Sequence, residues 1–141
     1  MAIKQLYKKA DENFWDEQWN IQSFENAIKY VKYYKQYEIM RKYTDKSKYV
    51  LEGGCGLSQW VYAMHYEGYK IIGVDYAKNT VKRIKEICPE LDIREENVFN
   101  LNFPDNYFGT YYSWGVVEHF EDGPDPILKE AYRVLDRGGI C

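Results

Sequence analysis

The chain has 141 residues, of which 45% are hydrophobic and 29% are charged, and its formal net charge is -3 at pH 7. This composition is typical of one soluble globular domain, although the length is short for a complete α/β enzyme. The negative charge argues against a nucleic acid partner. No apolar stretch approaches the roughly 20 residues that span a bilayer, and no apolar secretory segment follows the N-terminal lysines. We therefore expect a cytoplasmic protein without a membrane span.

Residues 1–44 are predicted to form an N-terminal aromatic helical segment on the lid or acceptor side of the protein. Between residues 23 and 43, apolar side chains recur at 3.6-residue spacing, which predicts one continuous helix. Its opposite face carries Tyr30, Tyr33 and Tyr37. These tyrosines would either line an acceptor pocket or partner surface, or simply form a solvated face.

Residues 45–141 alternate between short apolar segments and amphipathic segments. The predicted strands are 48–52, 70–75, 91–95 and 108–113, and the predicted helices are 58–67, 78–88 and 125–135. This alternation predicts parallel strands joined by right-handed helical crossovers. The fold class is therefore α/β, with a doubly wound, Rossmann-like parallel sheet and flanking helices.

The C-terminal end of the chain suggests an incomplete core. The sequence stops at Cys141, where we expect a fifth strand to begin. We predict that the sheet is truncated after its fourth strand, which would then be a bare edge. The chain would be a fragment of a longer enzyme, poorly active by itself.

The most specific pattern is a pair of acids at the ends of two consecutive strands. Glu52 ends the first predicted strand and is followed by a turn that contains Gly54 and Gly56, whereas Asp75 ends the second strand. Ligands bind at the carboxyl ends of parallel strands, where bare glycine backbone allows close approach. A carboxylate such as Asp75 accepts hydrogen bonds from a ribose diol. The pattern predicts a site for an adenosine-containing cofactor.

The charge next to the turn indicates which cofactor it is. The dinucleotide fingerprint G-x-G-x-x-G requires a third glycine, but Gln59 stands at that position. Glu52 would repel a pyrophosphate and attract an ammonium or a sulfonium. These features favour S-adenosyl-L-methionine over NAD.

These residues match a family pattern. The chain resembles the class I S-adenosylmethionine-dependent methyltransferases, particularly the small-molecule branch of type 11. The resemblance rests on five segments in the family's order, which are Val50–Gly56, Gly73–Asp75, Asn97–Asp105, Val116–Phe120 and Arg133–Gly139.

The resemblance implies a role for each matched residue. The cofactor-binding residues would be Glu52, Gly54, Gly56, Asp75, Tyr76, Asn97, Val98 and Ser113. Glu52 and the glycines would hold the methionine moiety, and Asp75 the ribose hydroxyls. Tyr76 would pack against the adenine face, with Asn97 near the adenine amino group and the Val98 amide near the ring.

Two positions depart from the family pattern. Asn97 stands where an aspartate is usual, so the acceptor oxygen remains but the charge is lost. Ser58 stands where glycine is frequent, and we expect it to cap the following helix. Either change would lower the affinity for the cofactor without removing its site.

Candidates for chemistry follow the fourth strand. His119 beside Glu118 would act as a general base for a hydroxyl acceptor, unless His119 is only a structural residue. The other histidine, His65, has no partner at metal-ligand spacing, so we expect no metal. Three cysteines at wide spacing fit neither a disulfide framework nor a zinc site, and we expect reduced thiols.

The acceptor is predicted to be a small molecule. An aromatic lid containing Phe14, Trp15 and Trp19 resembles those of methyltransferases that act in polysaccharide or glycolipid biosynthesis, which suggests a saccharide or its lipid-linked precursor. Aromatic faces suit flat aromatic acceptors equally. Two alternatives stay open at this point: a non-catalytic S-adenosylmethionine-binding module and an NAD-dependent oxidoreductase. The oligomeric state is also open.

Overall fold

The computed structural model describes residues 11–120 and 123–141. The helices are α1 (Glu12–Asn20), α2 (Phe24–Tyr30), α3 (Lys35–Tyr43), α4 (Gln59–Tyr66), α5 (Lys78–Ile87) and α6 (Asp125–Val134), with short 3₁₀ turns at Val31–Tyr33 and Val117–His119. The strands are β1 (Tyr49–Gly53), β2 (Lys70–Asp75), β3 (Asp92–Glu95), β4 (Phe108–Tyr112) and β5 (Leu135–Ile140). Within the described residues, none of these helices is long and apolar enough to cross a bilayer.

The five strands form one parallel sheet in the order β3-β2-β1-β4-β5. This arrangement confirms the predicted doubly wound, Rossmann-like fold. The strand order reverses between β1 and β4, so a crevice forms beyond their carboxyl ends. This crevice lies where the sequence places the glycine turn.

The prediction that the sheet ends at its fourth strand was wrong. Residues 135–140 pair with β4, with Phe108 opposite Leu135 and Thr110 opposite Ile140, and the register shifts between these pairs. Gly138 has a φ of +82°. This positive φ lies within β5 itself, next to the irregular register.

The single helix predicted from 23 to 43 is broken into α2, a 3₁₀ turn and α3. Tyr34 adopts an extended conformation with ψ of 141°, and this changes the helical phase after it. Tyr30 and Tyr33 are exposed as one alternative expected, but Tyr37 is buried. Its hydroxyl donates a hydrogen bond to Glu67, so grouping Tyr37 with the other two on one face was wrong.

The hydrophobic core has one cluster on each face of the sheet. Successive residues of a strand point to opposite faces, so Val50 joins one cluster and Leu51 the other. The first cluster lies under α2 to α5 and includes Met64 and Ile84. The second lies under α6 and includes Ile127. Both layers hold the carboxyl ends of β1 and β2 rigidly.

Arg133 on α6 holds the loop that leads into β4. Its Nη1 donates to the Phe103 carbonyl at 2.9 Å and to Asp105 Oδ1 at 2.8 Å. Its Nη2 donates to the Leu101 carbonyl at 2.9 Å and to Glu130 Oε1 at 2.6 Å. Its Nε donates to Glu130 Oε2 at 2.9 Å. The planar guanidinium thus satisfies five acceptor atoms, two of which are main-chain carbonyls.

We predict that Arg133→Lys lowers the free energy of unfolding by about 1–3 kcal/mol, because an ammonium group cannot reach these acceptors together. Thermal denaturation measures the effect. Arg137→Lys is the matched control, since Arg137 is exposed in the neighbouring strand. Equal melting temperatures for the two variants would contradict this role.

Candidate active site

A cleft lies beyond the carboxyl ends of β1 and β2, at the reversal of strand order. Its empty space, counted out to the open mouth, is about 920 Å³. Seven of the predicted site residues line it, namely Glu52, Gly54, Asp75, Tyr76, Asn97, Val98 and His119. The fold therefore brings together side chains that are as much as 67 positions apart in the sequence.

The glycine turn after β1 has no room for side chains. The amides of Gly54 and Cys55 both donate to the Val74 carbonyl, at 2.8 and 2.9 Å, which ties the turn to β2. Gly54 has a φ of +73°, and a Cβ there would lie 2.4 Å from Val116 Cγ2. Substitution is therefore excluded both by backbone conformation and by space.

Asp75 connects this turn to the start of α5. One carboxylate oxygen accepts from the Gly56 amide at 2.8 Å, and the other accepts from the Ala77 amide at 2.9 Å. Burial raises the pKa of Asp75 above its usual range, although these hydrogen bonds oppose the shift. Each oxygen can accept more than one hydrogen bond, so the carboxylate can also bind a ligand.

Glu52 is a buried acid of the site with one unpaired carboxylate oxygen. Its side chain is only 1% exposed, and its Oε2 has no hydrogen-bond partner among the described residues. Desolvation raises the pKa of Glu52 well above its usual range, and the nearby charge of Asp75 raises it further. A cation bound here would favour the ionised carboxylate. Together with the bare turn, this unpaired oxygen fits the ammonium-bearing end of S-adenosylmethionine.

Ser58 does not cap α4, so that prediction was wrong. The residue has a φ of +60°, in the left-handed region, and makes no side-chain cap. Its hydroxyl lies 3.4 Å from Cys55 Sγ and from the Gly56 carbonyl, within the turn. The positive φ explains why glycine suits this position.

The other wall of the cleft combines Tyr76 with the segment after β3. The Trp15 indole hydrogen-bonds to the Tyr76 hydroxyl, while burial and the charges of Asp75 and Asp11 raise the pKa of Tyr76 to about 12. Asn97 accepts from the Phe99 amide at 2.9 Å through its Oδ1. That bond turns the chain so that the segment follows the cleft wall.

Three predicted residues do not line this cleft. Gly56 contributes indirectly, because its amide donates a hydrogen bond to the cleft residue Asp75. Ser113 donates to the Gly53 carbonyl at 3.1 Å and faces a separate apolar cleft. Glu118 is exposed, although its neighbour His119 lines the cleft and packs edge-on against Trp15 at 4.8 Å.

Several aromatic residues of the site were not assigned to cofactor binding from the sequence. Trp15 and Trp19 of α1 stack at 5.7 Å and line the cleft, as a lid would. Trp60, at the start of α4, and Phe99, which contacts Phe120 at 4.6 Å, also line it. Phe99 lies within a matched family segment, and Trp15 and Trp19 belong to the predicted aromatic lid, whereas Trp60 had neither signal.

Comparison with known proteins agrees with this geometry. The family model for the methyltransferase domain matches residues 51–141. The chain belongs to this methyltransferase domain family. The family implies S-adenosyl-L-methionine as the cofactor, which confirms the choice over NAD.

Individual relatives cover different parts of the chain. A Mycolicibacterium smegmatis protein, named a probable S-adenosylmethionine-dependent methyltransferase, is 33% identical over 91 residues, which are 64% of this chain and 35% of the relative. A rice 2-methyl-6-phytyl-1,4-hydroquinone methyltransferase is 41% identical over 59 residues, or 42% of this chain and 17% of the relative. The chain thus spans about a third or less of these relatives' lengths.

Solved structures share the fold at lower identity. A structure from Methanococcus maripaludis, described as a candidate S-adenosyl-L-methionine-dependent methyltransferase, aligns with a TM-score of 0.69 at 22% identity and covers 95% of this chain and 64% of its own. The [4+2]-cyclase SpnF aligns with a TM-score of 0.68 at 22% identity, and the alignment covers 75% of this chain and 43% of SpnF. These likenesses establish the fold.

We predict that Glu52→Gln raises the melting temperature of the ligand-free protein at neutral pH. The raised pKa of Glu52 means that the folded state holds this proton more tightly than the unfolded state does. The stability contributed by this proton is present below the unfolded pKa and is lost as the pH rises toward the folded pKa. Removing the charge should add about 1 kcal/mol, or about 4 °C in a chain of this length.

The gain should shrink as the pH falls toward the ordinary carboxyl pKa of about 4.3. Glu95→Gln is the matched control. Like Glu52, Glu95 lies at the carboxyl end of a strand, but its side chain is exposed. Thermal denaturation across this pH range measures both variants. A lower melting temperature for Glu52→Gln at neutral pH would show that the carboxylate is stabilised by something other than a ligand.

Proposed function

We propose that this chain binds S-adenosylmethionine in the cleft and transfers its methyl group to a small-molecule acceptor. The observation that carries the proposal is the buried Glu52 oxygen without a partner, at the reversal of strand order and beside Asp75. A buried acid without a partner destabilises a protein unless a ligand uses it. Membership of the methyltransferase domain family supports the same reading.

The cofactor-binding roles follow from the walls of the cleft. Glu52 would attract the ammonium group of the methionine moiety, and the Gly54 turn would allow its backbone to approach. Asp75 would accept hydrogen bonds from the ribose hydroxyls. Tyr76 and Val98 would contact adenine, the first through its ring and the second through its buried side chain and amide.

S-adenosylmethionine supplies the activated methyl group when bound. The protein then has to align the acceptor with it and exclude water. Trp15 and Trp19 would shield the cleft from the solvent side, since both line it. His119 would accept the proton of a hydroxyl acceptor, because it is the one histidine in the cleft wall among the described residues.

The proposed acceptor is a saccharide or its lipid-linked precursor, with a flat hydroxylated aromatic ring as the second candidate. The indole faces of Trp15 and Trp19 support the first, because sugar rings pack on aromatic faces. The second is supported by the rice relative, which is named for a hydroquinone substrate. The cytoplasmic location stays a prediction.

We predict that Asp75→Ala reduces the affinity for S-adenosylmethionine by about 10- to 100-fold, because the charge-assisted bonds to the ribose and the support of the Gly56 amide are both lost. Isothermal titration calorimetry measures the affinity. Asp92→Ala is the matched control. Asp92 is an exposed aspartate at the first residue of β3, whereas Asp75 lies at the carboxyl end of β2.

Equal affinity for Asp75→Ala and the unmodified chain would remove the ribose assignment. Transfer of labelled methyl groups to components of a cell extract would then separate the enzyme from a binding module. Tight binding with no transfer to any acceptor would favour the module. Binding of NADH in place of S-adenosylmethionine would overturn the proposal.

Cofactor binding should also depend on pH in a defined direction. In the ligand-free protein the raised pKa of Glu52 favours the neutral acid, whereas the ammonium group of the ligand requires the carboxylate. Affinity should therefore increase as the pH rises from about 4.3 toward neutrality, by up to about tenfold per unit.

Calorimetry in two buffers of different ionisation enthalpy should detect protons released on binding. Glu52→Gln should bind more weakly, and its affinity should depend less on pH. An affinity of the unmodified chain that is constant over this range would contradict the proposed contact.

A further inference from the structure

Asp16 on α1 makes an unusual set of contacts with a distant part of the chain. Its Oδ1 accepts from the Thr80 amide and from the Thr80 hydroxyl, both at 2.8 Å. Its Oδ2 accepts from the Asn79 amide at 3.2 Å and from Asn79 Nδ2 at 2.9 Å. One carboxylate is thus fully engaged by two residues that lie 63 and 64 positions later.

These contacts replace a missing helix cap. The N-cap position of α5 is Ala77, whose side chain cannot accept a hydrogen bond. The first amides of a helix have no partner within it and carry partial positive charge. Asp16 therefore caps α5 from a different helix. Desolvation raises the pKa of Asp16, but the hydrogen bonds from Thr80 and Asn79 outweigh it and leave the pKa below its usual range.

A second contact holds the C-terminal end of α1. Arg83, one turn further along α5, donates to the Trp19 carbonyl at 3.0 Å. The carbonyls of the last helical turn lack partners within the helix, so this bond caps the C-terminal end of α1. The middle and the C-terminal end of α1 are consequently fixed to α5.

This attachment determines where the two tryptophans lie. Trp15 precedes Asp16 and contacts His119 and Tyr76, and the Trp19 ring lies 2.7 Å from the position of a Cβ on Gly56. The α5 helix begins at Lys78, three residues after Asp75, whose carboxylate accepts from the Ala77 amide. The same helix start thus contacts the ribose-binding acid on one side and the aromatic lid on the other.

We propose that Asp16 is a positioning residue that latches α1 over the cofactor cleft. When the latch is formed, Trp15 and Trp19 close the solvent side of the cleft, and when it is broken α1 separates from α5 and the cleft opens. The effect of the latch on cofactor release rests on the proposed function above, whereas the closure of α1 does not.

The test compares Asp16→Asn with the unmodified chain by amide hydrogen exchange without any cofactor. The variant loses the charge of the cap, so exchange in α1 and in the first turn of α5 should become about tenfold faster, while exchange in β1 and α4 should be unchanged. Glu17→Gln is the matched control, because Glu17 is the exposed neighbour on the same helix. Unchanged exchange in α1 would overturn the latch.

Thr80→Val tests the partner side, since it removes the hydroxyl and keeps the shape. A double-mutant cycle compares the single variants with the double variant. If the two groups act through one bond, the increase in exchange rate in the double variant should be smaller than the product of the increases in Asp16→Asn and Thr80→Val. Strictly multiplicative effects would show that they act separately and would overturn the proposal. Faster exchange spread evenly over the whole chain would indicate a loss of global stability and would also overturn it.

Cofactor kinetics supply a readout that a purely structural role would not move. Asp16→Asn should release S-adenosylmethionine about five- to tenfold faster while its association rate changes little, since the opened lid no longer retains the ligand. An unchanged release rate would overturn the latch. If the unmodified chain did not bind S-adenosylmethionine, the proposed function would fail, but the exchange result would still decide whether Asp16 holds α1.

Discussion

The structure depends on two acids that are buried side by side at the ends of neighbouring strands. Asp75 is satisfied by the amides of Gly56 and Ala77, so it holds the glycine turn in place. Glu52 has an oxygen without a partner in the described chain and is forced toward its neutral form by burial. One acid therefore builds the site, and the other remains available for a cation.

The core clusters and the α1 helix around these two acids explain how their unfavourable burial is maintained. Core clusters on both faces of the sheet hold β1 and β2, so the acids cannot move out to water. The α1 helix covers the open side, with Trp19 against Gly56 and Asp16 on the start of α5. The same helix thus shields the site and caps the element that follows Asp75.

The fold and the site carry different kinds of information. A [4+2]-cyclase shares this fold with a TM-score of 0.68, so the sheet order alone does not identify a reaction. The assignment to the methyltransferase domain family rests on the match over residues 51–141. The proposed chemistry rests on which groups meet in the cleft, namely the unpaired Glu52, the buried Asp75 and His119.

The sequence by itself determined the parallel α/β fold, the bounds of β2 and the place of the glycine turn, because apolar periodicity and turn residues act locally. Only the tertiary structure decided that Leu135–Ile140 pairs as a fifth strand, that Tyr37 is buried and that Ser58 does not cap α4. It also decided that Asp16 caps α5, and that Ser113 turns away from the cleft. These features depend on contacts between residues far apart in the chain, and no local pattern specifies such contacts.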